Sequence, residues 1–377
     1  QDMLNQAVET AKEADVAVIF AGLPDAFESE GYDRSHMRMP ECQNTLISEI
    51  AKVQENVVVV LHNGSPVEMP WADEVKGILE AYLGGQAVGQ AEVDVLFGKA
   101  NPCGKLAETI PYKLADNPSY LNFPGDGQTV EYNEGVFVGY RYYDTKEMPV
   151  RYPFGYGLSY TTFEYSDLQL SADRIKDTDT LKVTLKVKNT GDRAGKEIVQ
   201  LYVADKTGSA SRPVKELKNF VKVELQPQEE KIVEMELDKR SFAWYNTQIH
   251  DWYAASGEYE ILAAASSRDI RLKKTVYVES TTELPIHVHM NTTIGELLEN
   301  PRTKAVIEGM TDSLIQHMGG SSGDEEEESA ASEAISKEMS LKMMENSPLR
   351  TLRSFMGMST GEIRELIVKL QAAADNK

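Results

Sequence analysis

The residues with most chemistry to offer lie in one short run, Phe27-Glu28-Ser29-Glu30-Gly31-Tyr32-Asp33-Arg34. Glu28 and Glu30 are candidate general acids, Asp33 and Arg34 a charge pair able to tune them, and Tyr32 a surface on which a ring can stack. The run follows a β-branched stretch, Ala14 to Gly22 (ADVAVIFAG). It therefore sits at the carboxyl end of an expected strand, where open α/β sheets place ligands. A charge-rich loop can equally be plain solvated surface.

A second candidate is His62-Asn63-Gly64-Ser65-Pro66, which ends another apolar run, Asn56 to His62 (NVVVVLH). Its backbone N–H groups can hold an anion or polar ligand, or form only an Asn-Gly turn. Trp71, Trp244 and Trp252 can stack on sugars or be buried. No phosphate-binding Gly-rich loop, no Gly-x-Ser-x-Gly and no Cys/His metal spacing occurs, so nucleotide and metal chemistry are disfavoured and no cofactor is expected. Cys42 and Cys103 cannot build a disulfide framework or a zinc site alone. They read as two small buried hydrophobes in a reduced, cytoplasmic setting.

The 377 residues imply two or three domains, and 60 acidic against 39 basic residues give a net charge of −21. That charge argues against nucleic-acid partners. No apolar run reaches the roughly 18 residues of a membrane helix, and the start at Gln1 lacks a signal-peptide pattern. The sequence opens inside a helix-like pattern, which reads as a processed product or a fragment.

Residues 1–112 alternate apolar runs with helical spacing. Strands are expected at Ala14–Gly22, Asn56–His62 and Val75–Tyr82, and helices at Glu41–Gln54, with Leu46, Ile47, Ile50 and Val53 on one side, and at Gly89–Phe97. The order βαβαβα implies an α/β layer with a mostly parallel sheet. Residues 113–161, rich in Pro, Gly, Tyr and Asn, read as a functional loop or linker. Residues 162–282 switch to a period of two, at Leu181–Val187, Val199–Val203, Val221–Leu225, Ile232–Leu237 and Tyr259–Ala263. These five, among an expected six or seven short strands, imply an all-β immunoglobulin-like or fibronectin-III-like sandwich. Residues 283–377 form a small helical tail interrupted by an acidic run, residues 319–328, expected to be solvated and disordered.

Several motifs occur in one order. They are Glu28–Arg34 (ESEGYDR) with Met39-Pro40, Asn63–Trp71 (NGSPVEMPW), Tyr82–Gln86 (YLGGQ), Asp94–Leu106 (DVLFGKANPCGKL), Val138–Asp144 (VGYRYYD) and Tyr152–Phe163 (YPFGYGLSYTTF). Together they resemble the carboxy-terminal half of glycoside hydrolase family 3 β-glucosidases over residues 1–280, and the tail is similar to that of some anaerobe β-glucosidases. The resemblance implies a retaining enzyme in three parts: a (β/α)₈ barrel with an Asp nucleophile, an α/β sandwich with a Glu acid/base, and a fibronectin-III-like domain.

By motif position Glu30 matches the acid/base, with Glu28 as its local competitor; Asp33 and Arg34 would orient the loop, and Tyr32 would line the leaving-group side. No run of roughly 200 residues of βα units precedes Glu30, so the expected partners are a separate amino-terminal barrel and a β-glucoside or oligosaccharide substrate. The chain alone is expected to be inactive or nearly so. The rival readings are a non-catalytic carbohydrate-binding or scaffolding module and an acidic adhesin-like surface protein.

Overall fold

The computed structural model describes residues 2–308, 342 and 344–375. The chain divides into two compact units, residues 1–245 with 252–281, and residues 246–251 with 282–377.

The first unit opens with helix α1 (Asp2–Glu13) and strand β1 (Ala17–Gly22). Helix α2 (Glu41–Ala51), β2 (Val57–His62), β3 (Gly77–Glu80) and α3 (Val88–Leu96) follow. The strands form a parallel sheet, order β1-β2-β3, with Ala17 opposite Val57 and Val58 opposite Gly77. Ile19, Ala21, Val57, Val59 and Leu61 pack against Ile47 and Ile50 of α2. That apolar spacing on α2 is what the sequence offered for burial. Val53 lies just beyond the helix and is exposed. Cys42, expected to be buried, is instead exposed, because it sits in the first turn of α2 away from the inward Ile47 and Ile50. Cys103 is half-buried.

The stretch from 113 to 161 is irregular apart from a 3₁₀ turn, Leu114–Asp116, and helix α4 (Tyr140–Thr145). Its second half packs on the sandwich that follows. Tyr140 stacks on Phe154 with ring centroids 4.6 Å apart and meets Tyr202 edge-on at 5.9 Å. The Gln200 side chain donates to the Gly155 carbonyl at 3.0 Å. Gly155 has a positive φ, and a Cβ there would lie 2.1 Å from the Gln200 carboxamide oxygen, so this approach requires glycine.

The sandwich has one sheet of β4 (Phe163–Leu170), β6 (Leu181–Asn189) and β9 (Glu230–Leu237), in the order β4-β6-β9. The other is ordered β5-β13-β12-β7-β8, from β5 (Arg174–Lys176), β7 (Gly195–Asp205), β8 (Glu216–Leu225), β12 (Gly257–Ser266) and β13 (Asp269–Glu279). Helix α5 (Lys239–Phe242), β10 (Trp244–Asn246) and β11 (Asp251–Tyr253) lie outside both sheets. Leu181, Val183, Leu185 and Val187 alternate into the core opposite Val199, Leu201, Val203, Ile261 and Ala263. This is the two-sheet packing that period-two alternation serves. The Lys105 ammonium sits 3.2 Å from the buried Glu197, which also accepts from the Tyr165 hydroxyl at 3.1 Å, and so ties the α/β layer to β7.

The second unit is helical. Thr293 caps the helix Ile294–Glu299, with Glu296 N–H donating to its hydroxyl at 3.2 Å and the Glu296 carboxylate accepting from Thr293 N–H at 2.7 Å. The amphipathic pattern near the end becomes a helix, Thr360–Asp375, whose Ile363, Leu366 and Leu370 join Ile294, Leu297, Leu349 and Leu352 in a separate core. The acidic run 319–328 lies outside the described residues. Among the described residues no helix is long and apolar enough to cross a membrane.

Candidate active site

Three loops leave the carboxyl edge of the parallel sheet. The first starts where β1 meets β2 closely: a Cβ on Gly22 would fall 2.0 Å from the His62 carbonyl oxygen. Leu23 N–H then donates to that carbonyl at 2.9 Å. A turn follows, with Phe27 N–H donating to the Pro24 carbonyl at 2.7 Å and Glu28 N–H to the same oxygen at 3.2 Å, which swings Glu28 back over the end of β2. Gly31, at φ +97°, turns the apex, and Glu68 N–H on the Met37 carbonyl at 2.8 Å holds the returning end.

The two glutamates have different surroundings. Glu28 is half-buried, and its carboxylate accepts from Gly64 N–H at 2.6 Å and from the Ser65 hydroxyl, with Arg34 Nη1 4.0 Å away. Glu30 is exposed, and its carboxylate makes no hydrogen bond or ion pair among the described residues. Arg34 Nη1 donates to Ser65 Oγ at 2.8 Å and to the Pro66 carbonyl at 3.1 Å. Burial draws this guanidinium down from its usual pKa, against the pull of Glu28 and Glu68. Tyr32 donates its hydroxyl proton to the Asp25 carbonyl and so closes the loop on itself. Asp33 is exposed.

The His62–Pro66 turn carries Asn63, only 2% exposed. Its Nδ2 donates to the Ser65 carbonyl at 3.0 Å and lies 3.4 Å from Glu80 Oε2, while its Oδ1 is buried without a partner. His62 Nε2 is 3.1 Å from the buried Glu92 on α3, and its ring stacks on Phe20. The backbone of this turn is thus occupied by Glu28 where an anion would otherwise bind. Among the described residues no group of three His, Cys, Asp or Glu side chains is placed to hold a metal ion.

Sequence reasoning missed Glu80 and Glu108. Glu80 ends β3 and is half-buried, and burial, with the neighbouring charges of Glu108 and Glu28, pushes its carboxyl up to about 7 although Tyr82 N–H and the Asn63 amide hold it down. Burial also raises Glu108, which accepts from the Tyr82 hydroxyl at 3.2 Å. Tyr82 itself is raised by burial, then by Glu108 and Glu80, and takes a positive φ of 48°. The available signal was position: Glu80 ends a strand parallel to the two that supply Glu28 and Asn63. Trp71 is fully buried, with its indole N–H on Asn44 Oδ1 at 2.9 Å, which rules it out as a sugar platform. Trp252 stacks under Arg240 at 3.5 Å.

The glycosyl hydrolase family 3 C-terminal domain model matches residues 1–160, and a fibronectin type III-like domain model matches residues 197–267. The chain belongs to glycosyl hydrolase family 3. It is 52% identical over 369 residues to the thermostable β-glucosidase B of Acetivibrio thermocellus, covering 97% of this chain and 46% of that protein. It is 49% identical over 276 residues to an exo-α-(1→6)-L-arabinopyranosidase of Bifidobacterium breve, covering 73% of this chain and 36% of that one. The crystal structure of a Bifidobacterium adolescentis family 3 β-glucosidase superposes with a TM-score of 0.76 at 44% identity, over 81% of this chain and 45% of that one. The chain spans about half the length, or less, of these relatives. An α/β layer followed by a fibronectin-III-like sandwich is what the family assignment requires, and it is the fold described above.

Proposed function

We propose that this chain supplies the general acid/base of a retaining β-glucosidase that releases terminal β-D-glucosyl residues, with Glu30 as that group. The observation that carries the reading is the exposed, unengaged carboxylate of Glu30 on the loop after β1, beside a Glu28 whose oxygens are both engaged. Retaining hydrolysis needs two carboxyls about 5–5.5 Å apart. One attacks the anomeric carbon. The other gives its proton to the departing glycosidic oxygen, then takes a proton from the water that releases the sugar from the enzyme.

In this account a barrel domain brings the nucleophile, an Asp, and most of the glucose-binding surface. A carboxylic acid that gives its proton to a leaving oxygen must hold it near neutral pH, which burial or a neighbouring carboxylate can arrange. Arg34 orients the loop through Ser65 and Pro66, Tyr32 fixes its first turn, and Asp33 stays on the solvent side. Two cysteines without a disulfide framework suit a cytoplasmic setting. An arabinopyranosidase among the relatives fits a site that selects its sugar through barrel residues.

The test is Glu30→Gln in an active polypeptide that carries this chain together with a barrel. Hydrolysis of an alkyl β-glucoside, whose leaving group needs protonation, should fall about 10²-fold or more. An aryl glucoside with an acidic leaving group should lose far less in the glycosylation step. Unchanged hydrolysis of the alkyl glucoside would remove Glu30 from the role.

A further inference from the structure

A proton donor on an irregular loop has no backbone ladder to fix it, yet misplacement by about 1 Å can cost on the order of 10²-fold in rate. Here side-chain anchors stand on both flanks of Glu30. Before it, Glu28 takes two donors from the turn after β2, Gly64 N–H at 2.6 Å and the Ser65 hydroxyl. After it, Arg34 gives hydrogen bonds to Ser65 Oγ at 2.8 Å and to the Pro66 carbonyl at 3.1 Å. Both anchors therefore close on one turn, Gly64 to Pro66, and Ser65 Oγ is shared between them.

That turn is itself held from behind. Asn63, buried beneath it, donates to the Ser65 carbonyl at 3.0 Å and to Glu80 Oε2 at 3.4 Å. Glu80 in turn accepts Tyr82 N–H at 3.1 Å. Continuous contacts thus run from the end of β3, through the end of β2, to the loop after β1. Gly64 is part of the fit, because a Cβ on it would stand 3.2–3.3 Å from the Glu28 carboxyl atoms. With a methyl group there the carboxylate would have to give by a few tenths of an ångström.

We propose that Glu28 is the positioning residue for Glu30: by latching the loop after β1 to the Gly64–Pro66 turn, with Arg34 closing the far side, it sets where the proton donor stands. The proposal rests on the acid/base reading of Glu30. Glu28 touches neither substrate nor nucleophile and acts only through the loop. Arg34→Lys would keep the charge but lose the fork that reaches two acceptors.

Two variants disturb the latch by different means. Glu28→Ala removes both acceptors from the Gly64–Ser65 turn, and Gly64→Ala makes the carboxylate give by a few tenths of an ångström without changing charge. In the 377-residue chain, both should speed amide exchange of residues 27–34 about tenfold or more while exchange in β1, β2 and the sandwich is unchanged. Exchange in 27–34 that does not change overturns the latch.

In an active polypeptide carrying a barrel, both variants should lower kcat on an alkyl glucoside about 10- to 100-fold with KM within about threefold. The loss should be smaller on a glucoside with an acidic leaving group. Added to Glu30→Ala, Glu28→Ala should cost less than about twofold more, because the group it positions is already gone. Additive losses, or equal losses for good and poor leaving groups, overturn the positioning role and leave the acid/base reading standing. If Glu30→Ala alone leaves alkyl glucoside hydrolysis unchanged, the acid/base reading fails and the positioning role fails with it.

Discussion

Glu80 stands at the end of β3, one strand away from the turn that holds Glu28, and its half-buried carboxyl is pushed up to about 7 chiefly by burial. Its usual value is 4.5. Between these two values the folded chain keeps a proton that the unfolded chain has released, so stability falls as pH rises from about 4.5 to about 7 and levels off above. The upper limit of that loss is roughly 3 kcal/mol, reduced to the extent that water reaches the carboxyl. Glu80→Gln removes this slope while keeping an acceptor for Tyr82 N–H. Urea unfolding should therefore show the variant gaining on the parent at pH 8 and not at pH 4. An equal difference at both pH values would mean that Glu80 is not held protonated by its site. Glu108, also raised by burial, contributes in the same direction in both proteins and cancels in the comparison.

At the level of elements, the stretch before the sandwich acts as a buttress. Asp144, at the end of α4, is buried between Arg268 Nε at 2.7 Å and Lys215 Nζ at 3.0 Å, and Arg268 also donates to the Tyr143 and Met148 carbonyls. Removing one partner of such a group leaves charge without compensation. Asp144→Ala should cost about 3 kcal/mol in urea unfolding, with the α/β layer retaining its amide protection; a loss within the error of the measurement would make α4 a passive cover.

Elements were legible where the pattern is regular. The alternation of β6, β7, β8, β9 and β12 is written in Leu181–Val187 and its counterparts, because one face of each turns to the sandwich core, while β7 and β12 also bury Tyr202, Ala204, Leu262 and Ala264 of their other face in a second cluster. β4 was hidden by a bulge between Ser166 and Gln169, with Asp167 at positive φ, which puts Tyr165 and Leu168 inward three apart instead of two. β13 was hidden because five of its eleven residues are charged and only Val276 and Val278 are fully buried. In the site, the loop and both glutamates were visible from local composition. The partners of Glu28 were not, since Gly64 and Ser65 are 36 and 37 residues away and meet it only through sheet pairing.

On the scale of the whole molecule, the chain carries a net charge of −21 and spans about half the length of the relatives it matches, and under the proposal Glu30 works with a nucleophile that a barrel domain brings. The purified 377-residue chain should accordingly show no steady turnover of an aryl β-glucoside, and sustained turnover would mean that the chain carries its own nucleophile. The measurement that reaches the central claim most directly uses Glu30→Ala in an active polypeptide with a barrel. An acidic leaving group lets the glycosyl-enzyme form without help, and its hydrolysis then waits for a base that the variant lacks. Added azide, which needs no base, should restore turnover and yield the β-glucosyl azide. Turnover that azide does not affect, with glucose the sole product, would contradict the assignment of Glu30 as the acid/base.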